Sequence, residues 1–237
     1  MTTEQDIIYS IWETVRSGEI NQDDNISERL LRAYLSSHRG KHLLKNYTDG
    51  AQLPDEVYQD LGNIYFSLSG NDIISTNIPK AIRMPYNFGI LARKDSYLIS
   101  VVNDEEFLNS QKDDFNKYHP KLKLINNRLY LYKGIEQLCD DEFESYQNTV
   151  LNKTVRKLNQ ELKNNQLNLN IRAVLVNPDD EVGYDWTRSP YPFPDEYLED
   201  LINSVNARDF NLYLRTRSDE IGDQRDNNTS YNSPQEL

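Results

Sequence analysis

The chain has 237 residues, of which 37% are hydrophobic, and its formal net charge is -12. This length and composition are enough for one substantial core or two small ones, and they predict a soluble globular protein. A mean hydropathy of -0.78 and the lack of any run of about eighteen apolar residues exclude a transmembrane helix. The first ten residues have neither a basic region nor a long apolar segment, so we expect no secretory signal.

The charge balance and the single cysteine exclude further classes of protein. Thirty-eight acidic residues against 26 basic ones argue against a conventional DNA-binding domain, because duplex affinity comes mainly from cations that neutralise phosphates. Cys139 alone cannot form an intrachain disulfide or a cysteine-rich zinc site. The 16 tyrosines slightly favour an assembly protein, since tyrosine is enriched at interfaces, although it is also common in sheets.

Residues 1–50 are predicted to form a helical hairpin. The first helix runs from about Glu4 to Arg16 and has one apolar stripe. Asn25 and Glu28 have the spacing of a capping box, and apolar residues then recur at helical intervals as far as Tyr47. The link between the two helices is short and polar, which predicts that they are antiparallel neighbours.

The second helix is basic. Over residues 27–47, five cations and one anion give a local charge of +4 (five minus one) in a chain of -12. This contrast makes the helix a candidate docking surface through Arg29, Arg32 and Arg39. The alternative interpretation is a solvated basic face whose side chains pair within the helix or with water.

Residues 51–188 are predicted to be a strand-rich region. Alternating apolar residues indicate strands near 63–68, 88–93, 97–102 and 167–176. Asn126 and Asn127 favour a tight hairpin turn, with Leu124 facing Leu129 on the buried side. An apolar stripe predicts one long helix over about 141–164, whereas the polar residues 103–116 are assigned to a helical turn or loop.

Residues 189–217 are predicted to form an aromatic, proline-rich arm followed by a last helix that starts at Pro194. Tyr191, Pro192 and Phe193 in this arm are candidates for insertion into an adjacent protein. Residues 218–237 are polar and are expected to be disordered or ordered only on a partner. The predicted fold is α+β, with the N-terminal helical hairpin and the C-terminal helix around a small, mostly antiparallel sheet, and a disordered acidic tail.

The candidate metal sites have simpler explanations. His38 and His42 lie four residues apart on a helix, but His119 is distant and no third ligand is indicated, which favours packing or interface histidines. The loop around Asp179 and Glu181 faintly resembles a calcium loop, but its glycine and distal glutamate are not at the required offsets. We therefore predict no metal and no cofactor.

Paired carboxylates occur at 23–24, 104–106 and 140–141, where they could act as a general acid and base. Each pair adjoins a predicted helix start, where a carboxylate stabilises free amides and the helix dipole. The chain has no glycine-rich phosphate loop, no nucleophile elbow and no zinc-finger spacing. We therefore predict no catalytic residues and no enzyme activity.

Several segments, read in order, resemble a known family. They are IIYSIWETVRSG, DDNISERLLRAYLSSHRGKHLLKNY, LPDEVYQDLGNIYFSL, NIRAVLVNPDDE and YPFPDEYLEDLINSV. Together they are similar to structural proteins of crAss-like tailed phages that form a ring at the neck, between portal and tail. The similarity is strongest at Ile7 to Tyr47, Leu53 to Leu61 and Pro192 to Val205.

The resemblance implies a virion protein that assembles as a homo-oligomeric ring, with twelve copies to match the portal. It further implies contacts with the portal and with other neck or tail proteins, and a channel through which genomic double-stranded DNA passes. An acidic channel wall would repel phosphates and let the duplex slide. The alternative hypothesis is an acidic phage binding or regulatory protein that sequesters a host factor.

Overall fold

The computed structural model describes residues 2–16, 27–47, 53–84, 87–110, 112, 116–135 and 146–206. The chain divides into two compact units. The described part of the first unit comprises residues 2–16, 27–42, 186–191 and 195–206, and that of the second lies within residues 43–185 and 192–194. The predicted cap Asn25, the start of the long helix at 141–145, Cys139 and the tail 218–237 lie outside the described residues.

The first unit is helical. It contains α1 (Glu4–Arg16), the part of α2 (Glu28–Asn46) up to His42, and α5 (Leu198–Val205). The predicted bounds of α1 are confirmed, and α1 packs against α5. The core-facing side chains of these helices are almost completely inaccessible to solvent: Ile7, Ile8, Ile11, Leu31, Leu35, Leu201 and Val205.

Side chains at the ends of α1 and α2 satisfy backbone amides that have no partner within the helix. Thr3 and Asp6 form a reciprocal capping box, in which the Thr3 amide donates to Asp6 Oδ2 at 2.9 Å and the Asp6 amide donates to Thr3 Oγ1 at 3.2 Å. At α2, Ser27 Oγ accepts from the Leu30 amide at 3.3 Å. Ser27, directly before the first helical residue, is therefore a cap that the sequence analysis did not identify.

The second unit is a closed β-barrel of seven strands in the order β1-β2-β6-β5-β4-β3-β7. The strands are β1 (Gln59–Ser69), β2 (Asp72–Ser75), β3 (Ile90–Lys94), β4 (Tyr97–Val101), β5 (Lys121–Ile125), β6 (Arg128–Tyr132) and β7 (Asn168–Ala173). In the described part of this unit, α3 (Asp104–Asn109) lies between β4 and β5, and α4 (Tyr146–Lys163) lies between β6 and β7.

The prediction of a small, mostly antiparallel sheet is wrong, because the strands close on themselves. The long strand β1 is responsible: residues 59–65 pair with β7, and residues 66–69 pair with β2. The register of β1 against β7 shifts between Asp60 and Asn63, where Gly62 has φ +67°. Such a bulge bends a strand and increases its twist, which allows one strand to serve two neighbours and close a barrel.

The predicted hairpin is confirmed in turn and register. Asn126 and Asn127 have φ of 47° and 60°, as a tight hairpin turn requires. In β5 and β6, Leu124 pairs with Leu129, and Leu122 pairs with Leu131. Strand β4 pairs with β5 in parallel, and α3 lies in the connection that this parallel pairing requires.

One apolar cluster fills the barrel and includes a side chain from α4. Leu169, Ile171 and Ala173 of β7 are inaccessible to solvent, and Leu158 of α4 joins the same cluster. Helix α4 packs against β1 and β4. Because its apolar side is buried in this way, its opposite side faces solvent.

Candidate functional site

Arg32 of the predicted docking helix makes its contacts inside the first unit. Its Nε donates to Glu4 Oε1 at 3.0 Å, and its guanidinium carbon lies 5.1 Å from the centre of the Trp186 ring. The Glu4 side chain is 2% exposed and the Arg32 side chain 24% exposed. A charged hydrogen bond with so little solvent around it holds α2 to α1 more firmly than a surface ion pair would.

Arg39 lies deeper in the same unit. It is 0% exposed, and its guanidinium carbon is 5.9 Å from the centre of the Tyr191 ring. Burial raises the pKa of the Tyr191 hydroxyl above its ordinary value, and Arg39, Glu4 and Arg32 all act on that pKa electrostatically. We call these residues, with Trp186, the arginine–aromatic cluster.

The cluster is tied to the first residues of the chain by backbone hydrogen bonds. The Tyr191 amide donates to the Thr2 carbonyl at 2.9 Å, and the Gln5 amide donates to the Trp186 carbonyl at 3.1 Å. Thr3 and Pro190 form an isolated antiparallel bridge between these two hydrogen bonds. The aromatic arm therefore begins as a partner of the chain's N-terminal segment.

The six predicted interface residues are thus in different environments. Arg32, Arg39 and Tyr191 come together in the arginine–aromatic cluster. Pro192 and Phe193 are buried and belong to the second unit, whereas Arg29 is exposed on α2. Among the six residues, all of which lie in the described part of the chain, only Arg29 is exposed.

His38 is buried, and the other two histidines each have a side-chain neighbour at their ring. His38 is 3% exposed, His42 Nε2 lies 2.7 Å from Ser204 Oγ, and His119 Nδ1 lies 3.1 Å from the Tyr97 hydroxyl. Within the described part of the chain, no group of three or more His, Cys, Asp or Glu side chains is placed to hold a metal ion.

The acidic loop and the α3 carboxylates have structural contacts. Glu181 accepts hydrogen bonds from Gln59 Nε2 at 3.0 Å and from the Asp60 amide at 2.9 Å, which anchors the loop beside the bulge of β1. At α3, Asn103 Oδ1 accepts from the Glu106 amide at 2.8 Å. The acidic residues at 104–106 lie in the first turn, as predicted, but the capping side chain is Asn103.

A basic surface that the sequence analysis did not single out lies on α4. The solvent side of this helix exposes four cations, which we call the basic face: Lys153, Arg156, Lys157 and Lys163. Its opposite side is apolar and buried through Leu151, Val155 and Leu158. The spacing of these cations, opposite an apolar stripe, is visible in the sequence.

An acidic surface lies at the start of α5. Four carboxylates within six residues are exposed, and we call them the acidic turn: Asp195, Glu196, Glu199 and Asp200. Glu196 raises the pKa of the Tyr197 hydroxyl, and Asp200 adds to this effect. The turn therefore projects a concentrated negative potential into solvent.

Every helix in the described ranges is too short or too polar to cross a bilayer. A comparison with curated proteins finds none that matches the sequence. A scan against protein-family models matches residues 6–229 to the crAss ring family described as phage tail ring protein 2. The match includes most of α1, all of α2 and α5, the whole barrel and the acidic turn. The chain therefore belongs to the phage tail ring protein 2 family of crAss-like phages.

Proposed function

We propose that this protein is a virion subunit that forms a ring in the head-to-tail connector, or neck, of a crAss-like phage. The match of residues 6–229 to a phage tail ring family is the observation on which the proposal depends. In this proposal twelve copies form the ring, which links portal and tail. The protein acts by assembly, with no catalytic role and no cofactor.

Charge supports a role around DNA. A ring of copies that each have a formal charge of -12 would be strongly anionic, and an anionic lumen repels phosphates and lets the duplex slide during ejection. A basic lumen would instead retain the duplex through counterion release. A map of the assembled ring in which the lumen is lined mainly by Lys and Arg would refute this part of the proposal.

The interface role predicted for the basic helix now centres on Arg29, the exposed member of the predicted set. Arg32 is bonded to Glu4, and Arg39 lies against the Tyr191 ring inside the subunit. Substitution of these residues is therefore expected to lower the stability of the subunit itself, and any effect on assembly would follow from that loss. For Pro192 and Phe193, insertion into an adjacent protein would require them to leave their buried positions. Deletion of 189–193 is therefore expected to disturb folding as well as stacking.

Assembly can be tested directly with the purified full-length chain. Native mass spectrometry and electron microscopy, with and without the portal, should show a closed high-order oligomer, or co-assembly with the portal. A chain that stays monomeric with the portal and the other virion components would contradict the ring proposal. Saturable one-to-one binding of a single host protein would instead support the sequestering alternative.

A further inference from the structure

The basic face of α4 is the solvent side of an amphipathic helix whose other side is committed to the barrel. Leu158 and Val155 are 0% exposed, so the rotation of α4 about its axis is set by packing. Lys153, Arg156 and Lys157 follow one another at intervals of three and one residues and face away from that core. The position of these cations is therefore a fixed property of the second unit.

Helix α4 has a net positive charge, unlike the chain as a whole, which is acidic. The described residues of α4 contain four cations and one anion, Glu161, which gives +3 (four minus one), while the chain as a whole is -12. Glu161 bonds to the buried ammonium of Lys94, and Lys157 Nζ bonds to Asp95 at 2.7 Å. The exposed charges of Lys153 and Lys163 remain available to a partner, because no ion pair within the described chain includes either of them.

A ring of identical subunits needs two different surfaces that complement each other. In such a heterologous contact, one surface of each copy meets another surface of the next copy, and the rotation closes the ring. Copies with a charge of -12 repel each other at long range. A contact in which a basic surface of one copy meets an acidic surface of the next offsets this repulsion locally.

We propose that the basic face of one copy docks on the acidic turn of the next copy in the ring. The basic face has four cations, of which Lys157 is paired with Asp95, and the acidic turn has four carboxylates, so the two surfaces have opposite charge. Both are exposed in the subunit, and both lie on helical elements that fix their positions. This inference rests on the proposed ring function and adds the surfaces by which neighbouring copies recognise each other.

Charge-reversal variants test the docking. Lys153→Glu with Lys163→Glu reverses the basic face, and Glu196→Lys with Glu199→Lys reverses the acidic turn. We expect each pair alone to raise the protein concentration at which half of the subunits are in rings by at least about tenfold. All four substitutions in one chain restore opposite charges and should return that concentration close to the wild-type value.

A matched control uses the other basic helix. Lys41→Glu with Lys45→Glu makes the same change of charge on exposed residues of α2, and ring formation should be nearly unaffected. Circular dichroism confirms that each variant is folded. Where a reversal impairs folding, Lys153→Gln with Lys163→Gln should still weaken assembly, and raising the salt concentration should weaken wild-type assembly in parallel.

The outcomes separate the two proposals. If the wild-type chain forms no ring with or without the portal, the proposed function fails. If wild-type rings form but the reversals of the basic face and of the acidic turn assemble like wild type, only the docking inference is overturned. The same conclusion follows if the four-substitution chain assembles no better than the two-substitution chains.

Discussion

Substitution of Arg32 distinguishes a structural cation from an interface cation. Arg32→Ala removes the guanidinium that lies 3.0 Å from Glu4, whose side chain is 2% exposed. Loss of one partner of a buried ion pair typically costs about 3–5 kcal/mol, because the remaining charge stays buried. The lost contact with the Trp186 ring adds about 0.5–2 kcal/mol. We take about 3 kcal/mol as the expected loss, since Arg32 itself retains 24% exposure.

Tryptophan fluorescence reports this loss selectively. The chain has two tryptophans, Trp12 and Trp186, and both belong to the first unit. In urea, a loss of about 3 kcal/mol lowers the unfolding midpoint by roughly 1–3 M, given slopes of about 1–3 kcal/mol per M. The matched control is Arg29→Ala, which removes the same charge from an exposed position of α2 and should change stability by less than about 0.5 kcal/mol.

A second variant separates the buried charge from the lost packing. Arg32→Met together with Glu4→Gln removes both charges, so it should recover much of the stability lost in Arg32→Ala. Equal urea midpoints for Arg32→Ala and Arg29→Ala would refute the structural role of Arg32. Arg32 would then again be a candidate interface cation.

Three further predictions concern the barrel unit. Leu158→Ala should cost about 2–5 kcal/mol, measured by chemical unfolding, because the side chain is fully buried in the barrel core; a loss below about 1 kcal/mol would contradict the packing of α4. Gly89→Ala should lower the stability more than Gly62→Ala. Both glycines have positive φ, but only at Gly89 would the new Cβ lie 2.5 Å from a carbonyl oxygen, that of Ile82. Equal thermal midpoints of the two variants would contradict this prediction. Burial lowers the pKa of His119 in the folded protein below its ordinary 6.5, so the unfolded chain binds the proton more readily. The free energy of unfolding should therefore be greatest above about pH 6.5 and should decrease as the pH falls from there through the pKa of His119 in the folded protein. His119→Gln should flatten this pH dependence in thermal melts.

Features encoded within a few residues were predicted well from the sequence. The turn residues Asn126 and Asn127 and the alternation around them specify the β5–β6 register, because a two-residue turn leaves only one way to place Leu124 opposite Leu129. The bounds of α1 follow from its apolar stripe in the same local way. These elements depend on interactions over a dozen residues or fewer.

Features that depend on distant pairing were not predictable from the pattern. Gln59 of β1 pairs with Ala173 of β7, more than a hundred residues away, and alternation shows which face a side chain occupies but not which strand lies beside it. Strand β2 was missed because its four residues follow directly on a turn. Without β2 and the bulge at Gly62, closure of the barrel could not be inferred.

The same limit affected the candidate site. Arg32 and Arg39 look like solvent-exposed cations in the sequence, because their aromatic neighbours Trp186 and Tyr191 lie about 150 residues further along the chain. The sequence therefore predicts more exposed positive charge on α2 than the structure shows. The basic face of α4 was open to prediction, since its cations lie opposite the apolar stripe on the same helix.

The bridge between Thr3 and Pro190 has a consequence for biosynthesis. At a translation rate of about 5–20 residues per second, Trp186 is synthesised about 10–30 s after Arg16. During that interval the N-terminal helices lack the aromatic residues against which Arg32 and Arg39 pack. Most of the barrel sequence emerges from the ribosome in the same interval and can fold. A polypeptide released before Trp186 would therefore keep most of the barrel sequence but could not complete its first unit, and would expose unfilled helix faces to chaperones and proteases.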